Sequence, residues 1–388
     1  MGNYSTLCPH INKPTITTKD IIRPTLVEID LKRLTDNYHA IKSHVGSVKV
    51  MPILKANAYG HGLVEIARLM QHLGANCIGV AVLEEGILLR ENGITIPILV
   101  LGGILGNQVP HFFKHNLTIT ASSEGKLIQI NEAARDLKTK AKVHLKIDTG
   151  MERIGVHYYN AEKILETSLH CKHVEIEGIF SHLADGNSID LSFTQLQYER
   201  FQEVLSFYEK RSIPYPVRHI ANSGAILQHP ELNLDMVRPG ILLYGVYPSN
   251  AITKTISVKP ALSWKSRVVY FKIIEKNNPV GYGSTWKCNH SIHAVTVPVG
   301  YGDGYFRSMS HKAHVIIHGK RYPVIGTISM DQIVINLEND SAFNDDEVVL
   351  IGDMDASSIT CEDLAEWAGT IPYEILTNIN TRVPRIYK

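Results

Sequence analysis

Between residues 49 and 244 the apolar positions follow two alternating rhythms. Short β-branched runs predict strands at Lys49–Leu54, Cys77–Val82, Ile98–Leu101, Leu117–Thr120, Val143–Asp148, Val174–Phe180, Val217–Ile220 and Met236–Tyr244. Amphipathic stretches between them predict helices over Leu63–Leu73, Glu84–Glu91, Gly125–Leu137, Ala161–Ser168 and Thr194–Lys210. In the first of these, Leu63, Ile66, Ala67 and Met70 recur at i, i+3, i+4 and i+7, the spacing of one helical face. Strands alternating with helices imply parallel βα units, and eight of them in roughly two hundred residues are enough to close a barrel.

After Pro248 the texture changes. Leu262–Ile274, His293–Val299, His314–His318, Arg321–Ile325, Gln332–Leu337 and Glu347–Ile351 read as short strands separated by Asn, Gly, Pro and Asp, with one helix over Thr360–Ala368. The pattern therefore predicts an α/β chain in three parts: an N-terminal arm over 1–22, a (β/α)8 TIM-type barrel over 23–255, and a mostly antiparallel β domain over 256–388.

A net charge of +1, with charged residues at 20%, gives no electrostatic footprint for nucleic acid or a membrane surface. The longest apolar stretch, Ile94 to Leu105, is broken by Pro97, Gly102 and Gly103; it is too short to span a bilayer and reads as buried strand. Residues 1–20 lack the apolar core of a secretory signal. Five scattered cysteines with no CxxC pair argue for a reducing cytoplasm and against a disulfide framework or zinc site.

The chemistry-bearing residues fall where the predicted strands end, which in such barrels is the catalytic face. Lys55 follows the first strand, Lys146 and Asp148 close the fifth, and Ser181 and His182 close the sixth. His219 and Asn222-Ser223-Gly224 belong to the seventh, and Arg238 lies in the eighth ahead of Pro239-Gly240-Ile241. An ammonium at the end of a buried strand should lose proton affinity, and a lysine neutral near pH 7 is a nucleophile suited to a Schiff base with a carbonyl. Loops after the seventh and eighth strands commonly hold phosphate; Ser223 and the backbone N–H groups of Gly224, Gly240 and Ile241 offer donors there. A nucleophilic lysine beside a phosphate cradle points to pyridoxal phosphate.

Ordered motifs from residue 23 to the C-terminus strengthen that reading. They are Lys55-Ala56-Asn57-Ala58-Tyr59-Gly60-His61-Gly62, Lys146-Ile147-Asp148-Thr149-Gly150-Met151 with Arg153, Ala221-Asn222-Ser223 and Met236-Val237-Arg238-Pro239-Gly240. Gly281-Tyr282-Gly283, Gly300-Tyr301-Gly302-Asp303-Gly304-Tyr305, Ser329-Met330-Asp331-Gln332 and Arg382-Val383-Pro384-Arg385 complete the set. In this order they resemble the bacterial alanine racemase family, fold type III pyridoxal-phosphate enzymes.

The resemblance implies a role for each matching residue. Lys55 would carry the cofactor and act as base on the D-side α-proton; Tyr282, supplied by the other subunit of a homodimer with shared active sites, would be the L-side base. Tyr59, Ser223, Gly240 and Ile241 would contact the phosphate, Asn222 and His182 would also bind the cofactor, and Arg238 would face the pyridine nitrogen. Arg153 and Met330, with Asp331 beside it, would hold the small amino-acid substrate, and Tyr301 would line the entrance. Lys146 would carry a carbamate that orients Arg153, while His182 and His219 would join a network around Arg238. Two positions depart from some relatives: Thr381 stands where a tyrosine is expected to pack on the cofactor, and Ser329 replaces a cysteine.

The chemistry suits these residue types. Removing a weakly acidic α-proton and returning one to the opposite face calls for two bases on opposite sides of the cofactor. An arginine at the pyridine nitrogen keeps its proton, so that nitrogen stays unprotonated and the carbanion is short-lived, which favours racemisation over transamination. The resemblance implies interconversion of L- and D-alanine, supplying D-alanine for peptidoglycan. The alternatives are a broad-specificity racemase of the same fold and a non-catalytic pyridoxal-phosphate-binding protein; the extra domain with Tyr282 argues against the latter.

Overall fold

The computed structural model describes residues 22–388, so the arm expected over 1–22 lies, but for its last residue, outside the described residues. The described residues form two compact units: one holds residues 33–58 and 62–259, the other takes in 22–32, 59–61 and 260–388.

In the first unit, parallel strands Ile78–Val80, Ile98–Val100, Thr118–Ala121, Ala141–Asp148, Val174–Phe180 and Val217–His219 lie side by side in that order. Lys49–Val50 and Met236–Val237 pair in parallel as Met236 with Lys49 and Val237 with Val50. Backbone hydrogen bonds join that pair to both edges. Leu54 N–H donates to the Gly79 carbonyl (2.9 Å) and Gly79 N–H to that of Pro52 (2.9 Å); across the other edge, Asp235 N–H reaches the Arg218 carbonyl (3.1 Å) and Arg238 N–H that of Ala221 (3.0 Å). Eight strands therefore close on themselves, which leaves no unpaired edge.

The outer helices answer to their sequence pattern. Leu63–His72 buries Leu63, Ile66, Ala67 and Met70, the four residues of its apolar stripe. Glu124–Asp136 starts at Ser123, whose Oγ accepts the Lys126 N–H at 3.1 Å.

Two strand expectations are corrected. The run Met236–Tyr244 is a strand only to Val237; Pro239 lacks an N–H and Gly240 turns the chain, so Ile241–Tyr244 coil into a 3-10 turn. All four residues of that turn are fully buried, and in a continuous apolar run periodicity cannot separate strand from helix. The stretch Ile94 to Leu105 holds strand only at Ile98–Val100, and Leu105 is exposed.

The second unit is built on a ten-stranded, largely antiparallel sheet. Leu26–Ile29 pairs antiparallel with Leu262–Arg267 and parallel with Arg385–Tyr387, a pairing that a boundary drawn along the sequence at residue 23 does not foresee. The run Leu262–Ile274 divides in two. Val268 N–H bonds the Asp346 carbonyl and Val269 N–H that of Thr296, both at 3.0 Å, so the chain changes neighbours at that point. A second helix, Pro372–Asn378, follows Cys361–Ala368, where one was expected. A separate hairpin, Pro279–Val280 against Trp286–Lys287, packs Val280 and Cys288 on Ile274, Ile292, Ala294 and Ile325.

Candidate active site

Lys55 sits at the barrel rim where the first strand gives way to a turn of unusual hand. Ala56 (φ 53°, ψ 54°), Asn57 (57°, 44°) and Ala58 (52°, 52°) are all left-handed, and Tyr59 continues at φ 51°. For residues with a Cβ this conformation costs about 1–2 kcal/mol each, so the turn must be held by its surroundings. Ala58 N–H donates to the Leu54 carbonyl (2.7 Å), Gly62 N–H to that of Asn57 (2.9 Å), and Leu63 N–H to Asn57 Oδ1 (2.9 Å). Glu85 accepts the Ala56 N–H at 2.6 Å. Lys55 is half-buried; burial and the Arg153 guanidinium lower its pKa against an opposing pull from Glu85.

Behind the lysine lies a buried cation held by neutral rings. Arg238 donates from Nη1 to His219 Nδ1 (2.9 Å), and from Nη2 to the Ser181 and Ile220 carbonyls (2.8 and 3.0 Å) and His182 Nδ1 (3.2 Å). An arginine only donates, so His219 Nδ1 accepts and its Nε2 carries the proton, which it gives to His144 Nδ1 at 2.9 Å. Burial and the nearby Arg238 charge push His144 down to about 3 and hold His182 and His219 well below the ordinary value. Burial lowers Arg238 itself to about 9, which leaves it charged at neutral pH. Phe180 stacks on His219 (centroids 4.8 Å apart, planes within 3°) and also faces Arg238 and Lys146 Nζ at 5.6 and 5.0 Å.

Lys146 and Asp148 occupy alternate positions at the end of the long strand Ala141–Asp148. Burial, helped by Arg238, lowers Lys146 to about 7, so a large part of it is an uncharged amine at neutral pH. Asp148 shapes the following loop. Its Oδ1 accepts the N–H groups of Gly150 (2.8 Å), Met151 (2.9 Å) and Glu152 (3.2 Å), and its Oδ2 that of Arg153 (3.2 Å). Burial works against its ionisation, but these donors outweigh it and keep the pKa low. Arg153 is thereby presented at the rim.

Ser223 opens the turn Ser223–Gln228, and Gly240 precedes the turn Ile241–Tyr244. The two are tied together, since Ser223 Oγ accepts the Gly240 N–H at 2.9 Å. Asn222 is occupied in capping, its Oδ1 accepting the Ala225 N–H at 3.1 Å. Ile53 N–H bonds the Pro239 carbonyl at 3.0 Å, so this pair of turns shares a rim with Lys55.

In the sheet unit, Tyr282 stands at the tip of the small hairpin and is 73% exposed; its carbonyl accepts from Thr327 Oγ1 at 2.9 Å. Tyr301 and Met330 come from adjacent loops joined by Tyr301 N–H to the Ser329 carbonyl (3.1 Å) and Gly302 N–H to that of Met330 (2.9 Å). The loops are braced by buried Asp303, which pairs with Arg23 (2.7 Å) and Arg382 Nε (2.6 Å); Arg382 Nη2 also reaches Asp331 at 2.7 Å. Ser329 Oγ caps its own turn by accepting the Gln332 N–H at 3.0 Å. Tyr59 is buried against Tyr373, ring centroids 6.0 Å apart, and burial raises both phenols, Tyr373 to about 12. The carbonyl of Gly60 accepts Arg385 Nε at 3.0 Å.

The family profile "Alanine racemase, N-terminal domain" matches residues 29–248, and "Alanine racemase, C-terminal domain" matches 261–387. The chain is 41% identical to the alanine racemase of Halothermothrix orenii, over 95% of its own length and 98% of that protein. It is 43% identical to that of Carboxydothermus hydrogenoformans, over 94% and 100%. The chain belongs to the alanine racemase family. It is accordingly an enzyme, an amino-acid racemase. Among solved structures, the alanine racemase of Clostridium difficile 630 superposes with a TM-score of 0.90 at 36% identity, covering 95% of this chain and 96% of that one. The Bacillus anthracis alanine racemase with bound L-Ala-P gives 0.89 at 33%, with the same coverage.

Of the racemase-family residues expected from the sequence, Lys55, Lys146, Arg153, His182, His219 and Arg238 act on one another electrostatically within the barrel unit. Tyr59, Tyr282, Tyr301, Met330 and Asp331 belong to the sheet unit. Sequence reasoning missed His144, Glu85 and Tyr373. His144 sits one pleat before Lys146 on the same strand, a period-2 signal that was legible. Tyr373, which packs on Tyr59, lies on the helix that was not foreseen.

Proposed function

We propose that the enzyme interconverts L- and D-alanine with pyridoxal phosphate held on Lys55. The observation that carries this reading is a lysine of lowered proton affinity sharing a barrel rim with Arg238, a buried cation whose neighbours His182 and His219 are neutral rings. A lysine carrying a carbonyl cofactor needs lowered proton affinity, and a donor-only group suits an unprotonated pyridine nitrogen. The Gly240 N–H, expected from the sequence as a free phosphate donor, is taken by Ser223 Oγ, and the paired turns that this bond ties together still suit a phosphate through their remaining amides.

When bound, pyridoxal phosphate supplies the electron sink that makes a substrate α-proton removable. The protein supplies the rest. Lys55 Nζ takes or returns the proton on the D side, and Tyr282 of a second copy does so on the L side. Arg153, on the barrel unit, holds the substrate carboxylate. Arg238 keeps its charge and lets no proton go, so proton traffic stays on the two bases. Ser223, on the barrel unit, would meet the phosphate. The exposed Tyr282 is in keeping with a homodimer in which each copy completes the other's site.

Lys146, buried, cationic neighbours on two sides and with its pKa near 7, has the free amine that carbon dioxide needs to form a carbamate; the resulting anion would face Arg153 and Arg238. A bicarbonate dependence that disappears in Lys146→Ala is the expected sign of it. The product would serve cell-wall synthesis in the cytoplasm, in keeping with free thiols at Cys77, Cys171, Cys288 and Cys361.

The test is a racemisation assay on L- and D-alanine with and without added pyridoxal phosphate, alongside serine, lysine and arginine. Alanine turned over fastest, in both directions and with cofactor dependence, is the expected result; equal or better turnover of lysine would refute the substrate assigned here.

A further inference from the structure

Four successive residues with side chains, Ala56 to Tyr59, hold left-handed backbone immediately after Lys55. A run of this kind does not sustain itself, because each Cβ crowds the following carbonyl. Its first amide, that of Ala56, points away from the turn's own ladder and is taken by a carboxylate 29 residues further along the chain, Glu85 Oε1 at 2.6 Å. The other oxygen of the same carboxylate accepts the Ala81 N–H at 2.8 Å and the Val82 N–H at 3.4 Å. Ala81 follows the second barrel strand, Ile78–Val80, which is bridged to the first strand through Ile53 and Gly79.

Glu85 stands in the first turn of the helix Leu83–Glu91, where a carboxylate commonly reaches back to the amides that open its own helix. That local role accounts for the bonds to Ala81 and Val82. It does not account for Ala56, which belongs to a different loop. One carboxylate thus ties the residue next to Lys55 to the end of the neighbouring strand, and its charge lies close enough to act on the lysine ammonium.

We propose that Glu85 is a positioning residue for Lys55, its two oxygens clamping the Ala56 and Ala81 amides so that the left-handed turn holds the lysine at the barrel rim. The clamp rests on the reading of Lys55 as the cofactor-bearing lysine. Without it the turn is free to relax toward right-handed or extended backbone, which would swing Lys55 off the rim although the lysine itself is unchanged.

The test uses the full-length chain with Glu85→Ala and with Glu85→Gln, the latter keeping the size while leaving a single accepting oxygen. A hydrogen bond to a charged group corresponds to roughly a ten-fold or greater effect. Hydrogen exchange at the Ala56 amide should therefore quicken by about ten-fold or more in Glu85→Ala, with Leu145 in the barrel strand exchanging as in the parent. Titration with pyridoxal phosphate should develop the near-visible absorbance of lysine-bound cofactor more slowly by a similar factor, with Glu85→Gln in between. Loss of helix capping alone would leave both readouts where they are. Parental exchange at Ala56, or parental absorbance kinetics, in either variant would overturn the proposal; should Glu85→Ala not fold, Glu85→Gln decides. Lys55→Ala is the separate control: absorbance persisting there would sink the assignment of Lys55, while exchange at Ala56 would still report on the clamp.

Discussion

Arg238 Nη1 donates to His219 Nδ1 across 2.9 Å, and that one bond determines where the protons sit on the rings behind it. Since the guanidinium has nothing to accept with, His219 must present a bare Nδ1 and hold its proton on Nε2, which then donates to His144. Adding a second proton to either ring would bury a cation against Arg238, so both stay neutral. The arrangement keeps the full charge on the arginine.

That neutrality has a consequence for acid stability. His144, His182 and His219 all have folded-state values below the ordinary 6.5 of histidine, His144 at about 3. The unfolded chain therefore binds more protons than the folded one once the pH falls below about 6.5. Stability is fully present above that point and is lost as the pH drops toward about 3, by at most about 1.4 kcal/mol per pH unit for each histidine. Urea midpoints should fall as the pH drops from about 6.5 to about 4; midpoints that stay level over that range would contradict the buried neutral rings.

Tyr282→Phe removes one oxygen from an exposed hairpin tip and should not disturb the fold. The variant should bind pyridoxal phosphate with its near-visible absorbance intact, yet lose exchange of the α-hydrogen of L-alanine with solvent by about 10²-fold or more, the usual worth of a positioned base. Deuterium incorporation followed by mass spectrometry reads this directly, and undiminished exchange would rule out the two-base assignment.

Arg382 spans Asp303 and Asp331, and through them steadies the loops that carry Tyr301 and Met330. Arg382→Ala leaves the buried Asp303 carboxylate with Arg23 as its remaining cation, a loss of about 1–3 kcal/mol. KM for alanine should rise more than kcat falls if, as the resemblance implies, these loops position substrate and do not carry the proton. Arg382→Lys restores the charge without the fork and should recover stability before KM. A change confined to kcat would show that the loops play some other part.

Gly60 combines φ +81° with a carbonyl in the way: an added Cβ would lie 2.1 Å from the Leu376 carbonyl oxygen. Backbone cannot step aside as a side chain does, so Gly60→Ala should destabilise by more than the roughly 1 kcal/mol of a left-handed alanine alone. It should also displace Tyr59 from Tyr373, visible as changed tyrosine fluorescence. A Gly60→Ala protein with the parental thermal midpoint would show that the turn is softer than this contact requires.

Much of the architecture was present in the chain's own pattern. Period-3.6 stripes such as Leu63, Ile66, Ala67 and Met70 specify helices because a stripe must be buried, and repeated apolar runs between them specify parallel strands. Lys55, Lys146, His182 and Arg238 were legible as candidate chemistry because polar groups at the ends of apolar strands are costly unless they are used or paired. Long-range pairing was not legible. Nothing local places Leu26–Ile29 between Leu262–Arg267 and Arg385–Tyr387, or divides the apolar run at Val268, because those outcomes depend on which backbone donors find acceptors hundreds of residues away. The left-handed turn after Lys55 was hidden for the same reason: Ala56 and Ala58 have no local preference for it, and only contacts such as Glu85 to Ala56 make the strain affordable. By itself the sequence determined the barrel, the β-rich second half and the candidate chemistry at the strand ends. Only the tertiary structure decided how Lys55 is held and which neighbours set its proton affinity, because burial and electrostatic coupling arise between residues that the chain brings together only on folding.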